Sequence, residues 1–227
     1  MKASAIVVAA GSGTRLGLAT PKAFVSIGGV SLLLRAFQTI ASVEALGELV
    51  VAVPAGMEKS ARAEADAATL QIPVKITEGG ATRQDSVRIA LMLTSAEADL
   101  IVVHDAARPF ATTAMFSACI AAAAQSGGAI VAIPVADTLK RVEKGTIAMT
   151  LLRDGLWQAQ TPQAFRRELL MRAHEYATHE GITDDAYLFE RLGLTVQVVQ
   201  GSALNFKVTT PEDLRMAEAV ARSVSLR

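Results

Sequence analysis

A chain of 227 residues that is 51% hydrophobic can bury one large core, and with aromatics at 4% that core must be built from Ala, Val, Leu and Ile. Lys plus Arg and Asp plus Glu balance at 22 each, which excludes a global field that draws the chain to nucleic acid or to an anionic membrane; cations for a phosphate must be gathered locally. The single cysteine, Cys119, excludes an internal disulfide and suits a reducing cytoplasm, and no apolar run approaches the roughly 20 residues that cross a bilayer.

Taken in order, Ala5–Ala10 is a short, continuously apolar run, as expected of a strand buried on both faces rather than of a signal peptide, since a Gly-rich loop follows at once. Ser31–Ser42 has helical spacing of Leu, Phe and Ile. Glu48–Val53 reads as a strand stopped by Pro54, and Met57–Leu70 as an Ala-rich helix. Pro73–Thr77 is a short strand with Gly79-Gly80 as its exit, followed by a helix over Thr82–Leu93. Asp99–Val103 is a strand that ends in His-Asp-Ala-Ala-Arg-Pro. Thr113–Gln125 is a helix closed by Gly127-Gly128, and Ala129–Val135 is another strand. Between Asp137 and Leu156 the rhythm changes: polar and apolar residues alternate about a Lys144-Gly145 turn, which predicts a projecting β-hairpin. Its exposed Leu, Val, Ile and Met argue for pairing with a second subunit, with folding back on its own domain as the alternative. Gln160–Gln163 reads as a turn into a helix over Ala164–His179. A second helix spans Asp184–Leu192, a strand follows at Thr195–Val199, and a final helix opens on Thr210-Pro211-Glu212-Asp213, with Thr210 as N-cap. The alternation predicts an α/β fold with a mostly parallel sheet and helices on both faces. Ligands of such sheets bind at the carboxyl ends of the strands, where the segments after Ala10, Thr77 and Val103 should converge on one crevice.

The loop Ala9-Ala10-Gly11-Ser12-Gly13-Thr14-Arg15-Leu16-Gly17, with Pro21-Lys22 beyond it, lets backbone N–H groups approach a phosphate and supplies two cations. Its third glycine falls one position late for the dinucleotide pattern, and it lacks the Gly-Lys-Ser/Thr of a P-loop. An Arg fork and a mobile Lys suit a triphosphate whose charge grows on a leaving pyrophosphate.

This pattern resembles the sugar-nucleotide pyrophosphorylase-like nucleotidyltransferases. Further segments narrow the likeness: Val102–Pro109 (VVHDAARP), Gly79-Gly80 with Arg83 and Ser86-Val87, Asp137–Arg141, Leu156-Trp157 with Thr161-Pro162-Gln163, and Asn205–Thr209 (NFKVT). In this order they resemble the 2-C-methyl-D-erythritol 4-phosphate cytidylyltransferase family from about Ala5 to the final helix. Ala23 and Leu204 stand where that family often carries Gln and Asp.

The resemblance implies one Rossmann-like nucleotidyltransferase domain over 1–227, with 137–156 as a dimerisation arm. It implies that Arg15, Lys22, Arg153 and Lys207 stabilise the reacting phosphates, and that Ala10, Gly11, Gly13, Gly79, Gly80, Arg83 and Ser86 bind the nucleotide. Asp105, Arg108, Thr138 and Thr161 would face the polyol phosphate, with Thr138, Arg153 and Thr161 reaching the other subunit's site. Mg²⁺ is expected on the triphosphate oxygens with no assigned protein ligand, Asp105 being the one to test. The implied partners are CTP, a polyol phosphate and a second copy of the chain. Ribitol-5-phosphate cytidylyltransferases, a non-catalytic nucleotide-binding module and a dehydrogenase are the alternatives. His104 reads as structural, and His174 and His179 lack metal-ligand spacing. Thr183-Asp184-Asp185 reads first as a helix start, with a substrate-side role as the alternative.

Overall fold

The computed structural model describes residues 1–11, 13–18, 20–176 and 182–224. Strand β1 (Ala3–Val8) leads through two 3₁₀ turns (Thr14–Leu16 and Lys22–Phe24) into a minimal hairpin, β2 (Ser26–Ile27) and β3 (Val30–Ser31). Then follow α1 (Leu32–Ala41), β4 (Leu46–Val53), α2 (Glu58–Ala67), β5 (Val74–Glu78), α3 (Arg83–Leu93), β6 (Leu100–Asp105), α4 (Thr113–Ser126) and β7 (Gly128–Pro134). The second half holds β8 (Leu139–Glu143), β9 (Thr146–Leu151), β10 (Trp157–Arg166), α5 (Arg167–Glu175), α6 (Asp185–Arg191), β11 (Gln197–Gln200) and α7 (Pro211–Val224).

Among the described residues, seven strands form one sheet in the order β11-β7-β10-β6-β1-β4-β5. Strand β1 lies within it, parallel to both neighbours, with Ala5 opposite Leu49 and Val102. Strand pleating sorts the apolar runs onto two faces. Ala5, Val7, Leu49, Val51, Leu100 and Val102 join one core with Leu33 and Phe37 of α1 and Phe116 of α4. Their neighbours Ile6, Val50, Ala52, Ile101 and Val103 join another with Val87 of α3, Leu170 of α5 and Phe189 of α6. Helices therefore cover both faces, as the β-α rhythm predicts.

The helices start where their caps stand. Ser31 accepts from the Leu34 N–H at 2.9 Å. Thr82 and Asp85 form a reciprocal capping box at α3. Asp184 accepts from the Tyr187 N–H at 3.0 Å, so the helix-start reading of that residue holds. At α7 the Asp213 N–H donates to Thr210 Oγ1, while its carboxylate accepts from the N–H groups of Thr209 and Thr210.

The expected turn at Gln160–Gln163 and the expected helix from Ala164 are corrected. Gln160–Gln163 and the opening residues of the expected helix, Ala164–Arg166, belong to β10, which runs antiparallel between β6 and β7. Helix α5 begins only at Arg167, and the expected helix end at His179 lies outside the described residues. Pro162 ordinarily argues against a central strand. It is accommodated because pairing with β7 is irregular between Ala159 and Gln163. The predicted hairpin is present: β8 and β9 pair antiparallel as a sheet of their own around Lys144 and Gly145, both at positive φ. Its side chains Val142, Ile147 and Met149 are exposed.

Candidate active site

The segments leaving β1, β5 and β6 meet over the carboxyl ends of the strands and enclose a cleft of about 400 Å³. The opening loop supplies Ala10, Gly11, Gly13, Thr14 and Arg15 to its lining, and Lys22 follows from the second 3₁₀ turn. Gly13 (φ 70°) and Gly17 (φ 67°) cap the Thr14–Leu16 turn in the left-handed region, where a side chain is strained. Gly13 has a second duty: a Cβ there would lie 2.7 Å from Lys22 Cβ. The bare glycine lets the lysine segment lie directly against the loop. Gly80 and Ser86 form another wall, with the Gly80 N–H donating to Ser86 Oγ at 3.1 Å and that hydroxyl donating to the Thr82 carbonyl. Gly79 sits behind them, where a Cβ would come within 2.3 Å of Ala10 Cβ.

The third wall carries the charge. Asp105, the last residue of β6, is buried, and its Oδ2 accepts from Lys207 Nζ at 2.6 Å. Its Oδ1 accepts from Arg83 Nε at 3.1 Å. Burial alone would raise the Asp105 carboxyl, but Arg83 and Lys207 overcome it and hold it well below the usual carboxylate range. Lys22 is pulled down to about 8, first by burial and then by the charge of Lys207, with Arg15 adding to it. Arg15, Lys22 and Lys207 thus share one cleft, and Lys22 feels the charge of both others, though 192 positions separate the first from the last in number (207 minus 15). A small separate core explains their convergence. Leu16, Val25, Val208 and Ala217 pack together with Phe110 and Phe206, and so tie the Gly-rich loop, the lysine turn and the Lys207 segment to α7.

Residues 3–223 match the family described as IspD, 2-C-methyl-D-erythritol 4-phosphate cytidylyltransferase. A relative from Deinococcus radiodurans, named 2-C-methyl-D-erythritol 4-phosphate cytidylyltransferase, is 48% identical over 225 residues, which is 98% of this chain and 91% of that protein. The solved 2-C-methyl-D-erythritol 4-phosphate cytidylyltransferase of Thermus thermophilus superposes with a TM-score of 0.81 at 37% identity, covering 98% of this chain and 100% of that one. The 4-diphosphocytidyl-2C-methyl-D-erythritol synthase of Anaerococcus prevotii gives a TM-score of 0.84 at 29% identity, covering 97% and 98%. The chain belongs to the 2-C-methyl-D-erythritol 4-phosphate cytidylyltransferase family. Its sheet is the mostly parallel, Rossmann-like nucleotidyltransferase fold that the family resemblance implies.

Five residues that the family resemblance assigns to the site do not line this cleft: Gly79, which sits behind Gly80 and Ser86, and Arg108, Thr161, Thr138 and Arg153. Arg108 gives its Nη1 to the Asn205 carbonyl at 2.8 Å and its Nη2 to the Ala159 carbonyl at 3.1 Å. It moors the segment that carries Lys207 to β10. Thr161 is buried behind Asp105, where its Oγ1 accepts the Asp105 N–H at 3.0 Å and meets His104 Nδ1 at 2.9 Å. Thr138 and Arg153 are exposed at the base of the arm, and Arg153 donates to the Ala136 carbonyl. Arg83 does line the cleft, but its Nε and Nη1 are held by Asp105 and Asp185, and its Nη2 is buried without a partner among the described residues.

Sequence reasoning passed over Thr14, Thr82, Ala106, Ala107 and Thr209, which also line the cleft. Thr82 carried a signal, since Thr-Arg-Gln-Asp is a capping box that fixes the loop beside Gly80. His104 is buried and its ring is pushed down to about 4 by that burial, so it stays neutral and serves Thr161. Among the described residues no three His, Cys, Asp or Glu side chains gather into a metal-binding group. Asp105 is the one carboxylate among the described lining residues, and both its oxygens already accept from cations. Such a donor set fits a divalent ion that arrives on a polyphosphate and keeps most of its own waters, with Asp105 as the one protein carboxylate near it.

Proposed function

We propose that this chain transfers the cytidylyl group of CTP to 2-C-methyl-D-erythritol 4-phosphate, giving 4-diphosphocytidyl-2-C-methyl-D-erythritol and pyrophosphate, in isoprenoid precursor synthesis. The observation that carries this reading is the gathering of Arg15, Lys22 and Lys207 in one cleft above a Gly-rich strand exit. In that cleft a phosphate oxygen of the acceptor attacks the α-phosphorus of CTP. The bond to the β-phosphate oxygen breaks in line, and its electrons leave on pyrophosphate. The nucleophile is already an anion, so no general base is required, and the protein's task is positioning and charge neutralisation.

Arg15 and Lys22 take the triphosphate and the charge growing on pyrophosphate. Ala10, Gly11, Gly13, Gly79, Gly80 and Ser86 form the surface for cytidine, with backbone groups reading the pyrimidine edge. Asp105 accepts hydroxyl hydrogens of the polyol, and Lys207 passes from Asp105 to the phosphates as they meet. Arg83 forms the wall between the two halves. Mg²⁺ carried in with the triphosphate would supply further neutralisation there, and Asp105 is the lining carboxylate that could meet it.

A homodimer completes the site. The arm's exposed Val142, Ile147, Met149 and Leu152 fit a second copy of the chain, which brings Thr138 and Arg153 to the neighbouring cleft. Residues 1–227 work as one nucleotidyltransferase domain with 137–156 as the arm, in the cytoplasm where CTP is made. Among the described residues no helix is long and apolar enough to cross a membrane.

The test is pyrophosphate release with CTP and each other nucleoside triphosphate, using methylerythritol phosphate and ribitol phosphate as acceptors. Strong preference for CTP and methylerythritol phosphate is expected, with kcat lowered on the order of 10²–10³-fold in Lys22→Ala and in Lys207→Ala. Full activity in both variants would overturn the site, and turnover of ribitol phosphate alone would replace the acceptor.

A further inference from the structure

The ion pairs of the cleft continue inward past its wall. Arg83 bridges two carboxylates, its Nε on Asp105 Oδ1 at 3.1 Å and its Nη1 on Asp185 Oδ2 at 2.8 Å. The remaining oxygen of Asp105 accepts from Lys207, and the remaining oxygen of Asp185 meets His174 Nε2 at 3.1 Å. Charge alternates along this row from Lys207 in the cleft to Asp185 in the interior. Asp185 is 1% exposed and His174 is 6% exposed, and neither lines the cleft, so neither can touch a substrate there. Burial opposes ionisation of Asp185, yet Arg83 and His174 keep its carboxyl below the ordinary range.

We propose that Asp185 is a positioning residue for Asp105 and Lys207, acting through Arg83. The inference rests on the reading of Asp105 and Lys207 as the acceptor-side groups. A guanidinium beside a carboxylate with two free oxygens tends to engage both in a fork. Arg83 does not: its Nε alone reaches Asp105, its Nη1 is on Asp185 and its Nη2 has no partner among the described residues, an arrangement in which the pull of Asp185 on Nη1 keeps the guanidinium off the second oxygen of Asp105. Oδ2 of Asp105 is left to Lys207, and the ammonium is kept pointing into the cleft. With the charge of Asp185 gone, Arg83 has one anionic neighbour, rotates onto both oxygens of Asp105, and displaces Lys207.

The backbone of Asp185 is itself fixed. Asp184 caps α6 through the Tyr187 N–H, and its other oxygen accepts from Gln163 Nε2 at 2.8 Å. An ionised Asp185 is acceptor-only, so His174 Nε2 carries the donated proton; its Nδ1 has no partner among the described residues. That bond occupies Oδ1 and presents Oδ2 to Arg83.

Asp185→Asn keeps the size and an acceptor for His174 while removing the charge. The acceptor's KM is expected to rise about tenfold, with the KM for CTP within about twofold of the parent. In an Arg83→Gln background the same substitution is expected to add nothing to the acceptor's KM, because its only route is absent. Equal damage to both substrates, or full additivity in that background, would overturn the proposal. Should Asp185→Asn not fold, Asp185→Glu keeps the charge but displaces the carboxylate, and the same split between the two KM values decides.

NMR of the lysine ammonium groups gives a readout independent of turnover, with the Lys207 signal assigned by its loss in Lys207→Arg. In Asp185→Asn the Lys207 signal should move to its position in Asp105→Asn; an unmoved signal sinks the idea. A parent protein that releases no pyrophosphate would refute the proposed activity, while this measurement would still decide the role of Asp185.

Discussion

Lys22 is the residue at which burial and charge oppose what the chemistry needs. Its ammonium is held down to about 8 by desolvation and by Lys207 and Arg15, against an unperturbed value of 10.5. The protonated form is the one that meets a triphosphate. As pH rises through about 8 the free protein loses that cation, so kcat/KM for CTP should fall roughly tenfold per pH unit above it. A bound triphosphate favours the charged form, so the corresponding fall in kcat should come at higher pH. Lys22→Arg, whose charge does not titrate in this range, should lower the maximum and remove the alkaline limb. A pH profile of initial rates checks this, and a limb unchanged in Lys22→Arg would assign it to another group. None of this was legible from residue identity. The Gly-rich loop and Lys22 were visible as a pattern, but the depressed pKa depends first on burial in the folded cleft and then on Lys207, which the chain delivers from its far end.

Elements explain why the loop glycines are glycines. Gly79 follows β5 and lies against Ala10, the residue that follows the end of β1 by two positions. A methyl group at Gly79 would meet Ala10 Cβ at 2.3 Å and Ser86 Oγ at 2.8 Å, so the walls of the cleft must part to admit it. Gly79→Ala should therefore weaken CTP binding about tenfold or more, at the lower end of the cost of overpacking a tight site. Calorimetric titration with CTP would measure it, and parental affinity would show that the two strand exits do not grip the nucleotide together. Of the strands that form this grip, β1 announced itself in the sequence because burial on both faces demands a continuous run of Val, Ile and Ala, while β5, only half-buried, shows as a short Val-Lys-Ile-Thr run before Gly79-Gly80. Strand β10 did not, for a physical reason that lies in its partners. Its Gln160, Thr161 and Gln163 bond to the Ser202 carbonyl, the Asp105 N–H and Asp184 in turn. Polar residues with such distant partners interrupt the apolar run that marks a buried strand, and Pro162 reinforces the impression of a turn. Arg108 has the same history. It reads as a phosphate ligand by residue type, and it spends its fork on the carbonyls of Asn205 and Ala159.

For the molecule as a whole, the arm is the feature on which the proposed dimer rests. Strands β8 and β9 pair only with each other among the described residues and expose Val142 (56%), Ile147 (60%) and Met149 (46%) to water. If the arm makes the proposed dimer, deleting 142–149 should leave the seven-stranded sheet folded, shift the sedimenting species from dimer to monomer, and abolish activity by removing Thr138 and Arg153 from the neighbouring cleft. An unchanged mass would remove the arm from the interface. Periodicity and local chemistry by themselves determined the α/β architecture, the helix starts at Ser31, Thr82, Asp184 and Thr210, and the hairpin, since each depends on residues a few positions apart; the family came from the resemblance of the ordered motifs between Ala9 and Thr209. Only the tertiary structure decided that β10 enters the sheet between β6 and β7, that Arg108 and Thr161 support the cleft from behind, and that Asp185 stands in line with Lys207 through Arg83. Those outcomes depend on long side chains choosing among partners far along the chain, and burial, which makes an unpaired charge or donor expensive, makes the choice.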